Sequence, residues 1–149
     1  MQALPLRLNP GDDLKAAIEA AIGAAQAGQG EGVDQPAGAA FVLQGIGSLS
    51  VAQLRYAGLP QPTELRGDLE ILTLAGSVSP DGAHLHMSVA DAQGRVFGGH
   101  VGAGCIVRTT AELLLALLPE HRFAREHDAL TGFKELTIYP QLINPALTP

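Results

Sequence analysis

HLHMSVADAQGRVFGGH, His84–His100, alternates in polarity, turns, and comes back. His84, His86, Ser88 and Ala90 fall on one parity, and Leu85, Met87 and Val89 on the other. Side chains two apart in a strand share a face, roughly 6–7 Å from one another. One face of such a strand is therefore apolar, and the other presents two imidazoles. Asp91-Ala92-Gln93-Gly94 follows, with the chemistry of a type I turn that ends in a left-handed glycine. If Asp91 pairs with Arg95, the register sets His86 directly opposite His100, where cross-strand β-carbons lie about 4.5–5.5 Å apart. A slip of one residue would turn His100 to the other face, so the turn decides the reading.

Three neutral imidazoles on one face of one hairpin suit zinc or another late first-row divalent ion, with a position left open for water or a ligand. His84, His86 and His100 are accordingly the candidate metal ligands. Gly98 and Gly99 remove side-chain bulk there and allow backbone or ligand to come close. The competing reading is a half-exposed sheet face that carries histidine for no functional reason.

Around this hairpin the chain reads as short strands with one strong helix. Leu4–Leu8 alternates as a strand. Asn9-Pro10-Gly11-Asp12-Asp13 reads as a helix start, with an asparagine cap, proline in the first turn and acids at the positive end of the dipole. Leu14, Ala17, Ile18, Ala21, Ile22 and Ala25 then mark one face of a helix to about Ala27. Its alanine-rich stripe predicts close packing on a sheet.

Gly28–Gly38 reads as a mobile loop. Ala39–Gln44 and Val51–Tyr56 read as separate strands, broken by Gly45-Ile46-Gly47-Ser48. That Gly-Ile-Gly is a poor anion cradle, because no helix follows it. Pro60–Arg66 reads as a loop. Leu69–Val78, an apolar run, reads as a central strand, and Ser79-Pro80-Asp81-Gly82 as the next turn. Cys105–Thr110 reads as a buried strand. Ala111–Leu118 is helical by propensity but follows a strand with no break, so residues alone leave it open. Pro119–Asp128 reads as a charged loop or short helix, Thr131-Gly132 as a turn and Phe133–Tyr139 as a closing strand. Pro140–Pro149 reads as a loose tail. The fold class is α+β, a mainly antiparallel sheet with one long N-terminal helix, in a single domain over 1–149 with its core at about 6–139.

Bulk properties narrow the function. A chain of 149 residues with 46% hydrophobic and 16% charged residues builds a proper core, and with 4% aromatics that core is aliphatic. Net charge is −6, and the seven arginines among nine basic residues are scattered, a poor footprint for direct contact with nucleic acid. The single cysteine, Cys105, sits in an apolar run and reads as a buried structural thiol. No secretory leader and no transmembrane run is legible, so the expected home is the cytoplasm.

These phrases in order resemble the Plants and Prokaryotes Conserved domain family. The resemblance rests on Leu6-Arg7-Leu8, Pro10–Leu14, Gly45–Leu49, Leu69–Gly76, Gly82–His86, Gly94-Arg95-Val96, Gly98-Gly99-His100, Thr109–Glu112, Arg125–Asp128 and Thr131-Gly132-Phe133, roughly Leu6 to Ile138. It implies an antiparallel sheet with few helices assembled as a homotrimer. It implies a long strand over Thr109–Leu118, and a metal on the histidines that are here His84, His86 and His100. Bacterial and archaeal members carry a DNA-binding label. Plant members read DNA with a separate Arg-Gly-Arg-Pro arm, whereas here Arg66-Gly67 leads into an acid. Three copies at −6 sum to −18, which opposes association with a polyanion.

Three functions follow as expectations. One is a trimeric module holding a divalent metal and a small anionic ligand or a protein partner. Another is a regulator that reaches DNA through partners. The last is a metal-dependent lyase or hydrolase, for which Glu112, Glu126 and Asp128 are candidate acids or bases. The structural reading of those residues is an Arg125–Asp128 ion pair that fixes the loop before Thr131, and a Glu112 buried against Arg7 or Arg108. His121 and His127 read as solvated, and no Ser-His-Asp or Cys-His arrangement is legible.

Overall fold

The computed structural model of the protein describes residues 1–27 and 38–140. The loop expected over 28–38 and the tail over 140–149 lie, but for Gly38 and Pro140, outside the described residues. Among the described residues the architecture is α+β: one helix and a large antiparallel sheet, with a two-stranded hairpin laid on it.

In chain order the elements are β1 (Gln2–Leu8), α1 (Leu14–Ala27), β2 (Ala40–Arg55), β3 (Thr63–Ser79), β4 (Gly82–Ala90), β5 (Val96–Val101), β6 (Ile106–Leu117), β7 (His121–His127) and β8 (Lys134–Pro140). The main sheet runs β1-β6-β2-β3-β4-β5. β5 also pairs with the end of β2, Leu54 with Val101 and Arg55 with His100, so β2, β3, β4 and β5 close into a ring at that end.

One face of the sheet is the core. Leu14, Ile18 and Ile22 of α1 are buried on it, as the apolar stripe requires, with Val42, Leu54, Leu74, Leu85, Val89 and Leu115 from the strands. Each such aliphatic side chain contributes about 1.5–3 kcal/mol. Cys105 is fully buried; its sulfur accepts the Gln53 N–H at 3.2 Å, and burial pushes its pKa up. It is the structural thiol expected.

Several boundaries differ from the sequence reading, each for a physical reason. The helix cap is Asp13, whose Oδ1 accepts the Ala16 N–H at 3.0 Å, and not Asn9. Pro10 and Gly11 precede the helix in a turn tied to β6, where the Gly11 N–H donates to the Val107 carbonyl at 2.9 Å. Gly45–Ser48 does not break a strand, and β2 runs through it. A Cβ on Gly47 would lie 2.4 Å from the Thr110 carbonyl oxygen, so the glycine marks close approach of β6.

The segment read as a loop over Pro60–Arg66 already joins β3 at Thr63. β3 is interior as expected, but only one face of it is covered: Leu74 is buried and Leu72 exposed. Ala111–Leu117 continues β6. Pro119–Asp128 is neither loop nor helix but mostly β7, which pairs with β8 from His121↔Pro140 to His127↔Lys134. Phe123 anchors this hairpin, 2% exposed, with its ring edge-on to Phe41 of β2 at 5.4 Å between centroids.

Candidate metal centre

The turn after β4 forms as its residues dictate. The Gly94 N–H donates to the Asp91 carbonyl at 2.9 Å, the Asp91 N–H donates to the Arg95 carbonyl at 3.0 Å, and Gly94 takes φ +74°. The Asp91 carboxylate fixes the turn by accepting the N–H groups of Gln93 and Arg95, each at 2.9 Å. The register that follows is His86↔His100, Met87↔Gly99 and Ser88↔Gly98. Leu85, Met87 and Val89 face the core, and His84, His86 and His100 share the opposite face.

The three rings converge. Centroids are 5.1 Å apart for His84 and His86, 4.8 Å for His84 and His100 and 5.7 Å for His86 and His100. One nitrogen from each lies within 4.8 Å of the others. Nε2 of His84 and Nε2 of His86 are 3.3 Å apart. Two nitrogens each about 2.0–2.1 Å from a tetrahedral zinc stand about 3.3 Å apart, so this pair already has the spacing of a tetrahedral edge.

The donor set also fits a cation electronically. Burial holds the His100 pKa down to about 4, helped by the positive charges of His84, Arg55, His86 and Lys15. Burial, then Arg125 and His86, lowers that of His84, against an opposing pull from Glu135. Both rings are therefore neutral at pH 7 and keep a lone pair to give. Nδ1 of His100 is buried and has no hydrogen-bond partner. An orphaned imidazole nitrogen in such a cluster is what a metal would satisfy.

The two glycines play different parts. A Cβ on Gly99 would sit 2.7 Å from the Arg55 carbonyl oxygen, because β5 is held between β4 and β2 there. At Gly98 the nearest atom would be the Met87 carbonyl oxygen at 3.3 Å, a contact tight by only a few tenths of an ångström. Behind His84, Gly76 of β3 lies so close to the His84 carbonyl that any Cβ would overlap it. Gly76 was readable only as a glycine in an apolar strand, a mark of close approach.

Of the other residues singled out, Arg125 reaches the site. It lines a recess with His84, its guanidinium donates to Ser77 Oγ at 3.2 Å, and it lies 4.0 Å from Glu135. The Arg125–Asp128 pair does not form. Asp128 instead holds the β7–β8 turn, its Oδ1 accepting the Leu130 N–H at 2.7 Å. Glu112 is not buried. It stands exposed on β6 opposite Arg7, and β2 and β3 separate its strand from β4. Arg108 pairs with Asp68 at 3.0 Å. Glu126 accepts the Tyr139 hydroxyl at 2.7 Å. None of these three carboxylates is placed as an acid or base at the rings. His127 is exposed as expected, but His121 is half-buried with Nδ1 unpartnered. Arg55, Ser77 and Lys134 also border the cluster, and only long-range packing brings them there.

Comparison with known proteins agrees with this frame. The family model of the Plants and Prokaryotes Conserved (PCC) domain matches residues 1–119. The bifunctional protein GlmU of a Synechococcus species is 48% identical over 145 residues, 97% of this chain. The chain spans about a fifth of that relative, 21% of its length. Among solved structures, a hypothetical protein from Salmonella is 36% identical with a TM-score of 0.85, each chain covered to 95%. A metal-containing protein from Archaeoglobus fulgidus is 28% identical with a TM-score of 0.72, over 92% of this chain and 94% of the other.

Proposed function

Because this chain belongs to the Plants and Prokaryotes Conserved (PCC) domain family, we propose that it is a self-associating module that holds a divalent metal ion on His84, His86 and His100 and receives a small anionic ligand there. One observation carries the reading: three histidines converge from two paired strands, with His100 Nδ1 buried and unpartnered. Three imidazoles without a thiolate or carboxylate favour zinc among the common ions. When bound, such an ion supplies a Lewis-acid position with coordination room left for a ligand. The relative from Archaeoglobus, which contains a metal, supports the same reading.

The chain's own residues have separate tasks. Asp91 and Gly94 set the register that turns His100 toward its partners. Burial and neighbouring cations keep His84 and His100 unprotonated. Arg125, steadied by Ser77, stands beside His84 as the anion contact.

Self-association, as a homotrimer in the family's manner, has a surface to use. Ile46 and Leu114 are 51% and 42% exposed on the face of the main sheet away from α1, and Leu72 is 46% exposed beside Ile46. A net charge of −6 makes direct binding to nucleic acid unfavourable. A gel shift at about 0.15 M salt should therefore show no retardation, whereas specific binders stay tight there.

Protein purified without chelator should carry close to one zinc per chain by elemental analysis, and His84→Ala should lose it. A chelator should lower the melting temperature of the wild type and leave that of His84→Ala unchanged, because only a bound ion stabilises by mass action. Equal metal in both proteins would remove His84 from the site and overturn the reading.

A further inference from the structure

Two recesses flank His84. One is a polar notch of about 330 Å³ that includes Asp81, His84, Arg125 and Lys134. The other is a groove of about 540 Å³ between the main sheet and the β7–β8 hairpin. Phe41, Leu43 and Leu136 give it apolar walls, and His84, His86 and Arg125 belong to it as well. His84 and Arg125 are common to both, so the polar and apolar recesses adjoin at the rings.

The charges there do not balance for a metal alone. The notch sets the fixed cations Arg125 and Lys134 against one carboxylate, Asp81, which already accepts the Arg125 backbone N–H at 2.8 Å. Glu135 stands at 4.0 Å from the Arg125 guanidinium and offsets part of its charge. Arg55 is the register partner of His100 on the far side. A dication on the three imidazoles would add two positive charges with no anionic ligand atom from the protein. In so partly desolvated a place an anion restores the balance. Arg125 is preorganised for it: its side chain is only 14% exposed and is held by Ser77. A guanidinium fork matches a planar carboxylate.

Resting on the metal reading above, we propose that the ligand is a small carboxylic acid with a hydrocarbon body. Its carboxylate sits between Arg125, Lys134 and the histidine-bound ion, and its body lies along Phe41, Leu43 and Leu136. A purely polar anion would leave the groove walls wet, and a purely apolar molecule would leave the cations unanswered.

The test is calorimetric titration of the cobalt(II)-loaded full chain with octanoate and with acetate. Octanoate should bind at least about tenfold tighter than acetate, since part of its chain leaves water. Arg125→Gln should weaken octanoate by about tenfold while cobalt still loads, and Lys134→Gln, at an exposed position, should weaken both acids without risk to folding. Leu43→Gln, also exposed, should remove the preference for octanoate and leave acetate unchanged. Equal affinity for the two acids, or head-group variants that bind as the wild type does, would overturn the proposal while leaving the metal site standing. Failure of cobalt to load would instead overturn the metal reading. The same titrations on the metal-free chain then decide the groove: octanoate preferred through Arg125 keeps its chemistry, and no preference removes it.

Discussion

At the scale of single residues, the histidine cluster holds two rings, His84 and His100, whose pKa values are lowered, and leans on one glycine that admits its neighbour. His100 titrates near 4 in the fold against an ordinary value of 6.5, so between those values the unfolded chain holds more protons. The stability this contributes is complete above about pH 6.5 and is lost as pH falls toward 4. The lowered pKa of His84 acts in the same direction. The urea midpoint of the metal-free protein should accordingly be lower at pH 5 than at pH 7, and His100→Gln should shrink that difference. Gly99→Ala should cost about 1–3 kcal/mol, because its methyl would meet the Arg55 carbonyl oxygen at 2.7 Å, and should weaken metal retention with it. Gly98→Ala should cost much less, and paired urea titrations separate the two. The convergence of His84, His86 and His100 was legible because strand parity and turn chemistry are local. The surroundings of Glu112 and Arg125 were not: an apolar run reads as buried on both faces, and an arginine finds partners across the sheet as readily as along the chain. Glu112 thus stands in solvent, and Arg125 turns to Ser77 and Glu135 and not to Asp128.

At the scale of elements, α1 hangs on one carboxylate. Asp13 accepts the Ala16 N–H through Oδ1 and the Gly104 N–H at 2.7 Å through Oδ2, so it caps the helix and ties it to the loop before β6. Asp13→Ala should lower stability by about 1–2 kcal/mol in urea unfolding, with the metal content unchanged. The helix itself was plain from its repeating aliphatics, while its cap was not, since Asn9 and Asp13 are both acceptable caps by residue type. Two strands run against the propensity of their residues for a shared reason. β2 contains Gly45 and Gly47, and β7 carries three charged residues and two histidines among its seven, so propensity argues against each. What makes them strands is the partner alongside: β6 pressed against Gly47, and β8 paired with β7 while Phe123 anchors on Phe41.

At the scale of the whole molecule, two surfaces matter: the open apolar patch on the sheet and the hairpin that roofs its neighbour. If copies meet through Ile46, Leu72 and Leu114, then Leu114→Lys should shift the mass measured by light scattering from a multiple of the chain to 15.4 kDa, without loss of helical and strand signal. An unchanged mass would place the contact elsewhere. Whole-molecule properties were the least legible, because a patch is assembled from strands far apart in sequence. The second of these surfaces is the hairpin β7–β8. It starts at His121, just past the 119 residues that the family model matches, yet it supplies Arg125, Lys134 and Leu136 to the recesses beside the rings. The histidines and the ribbon that walls the recesses beside them are thus encoded in separate stretches. Grafting a different ribbon after residue 119 would then change the walls of the recesses while sparing the three rings beneath, a division of labour that lets one stretch drift without rebuilding the other.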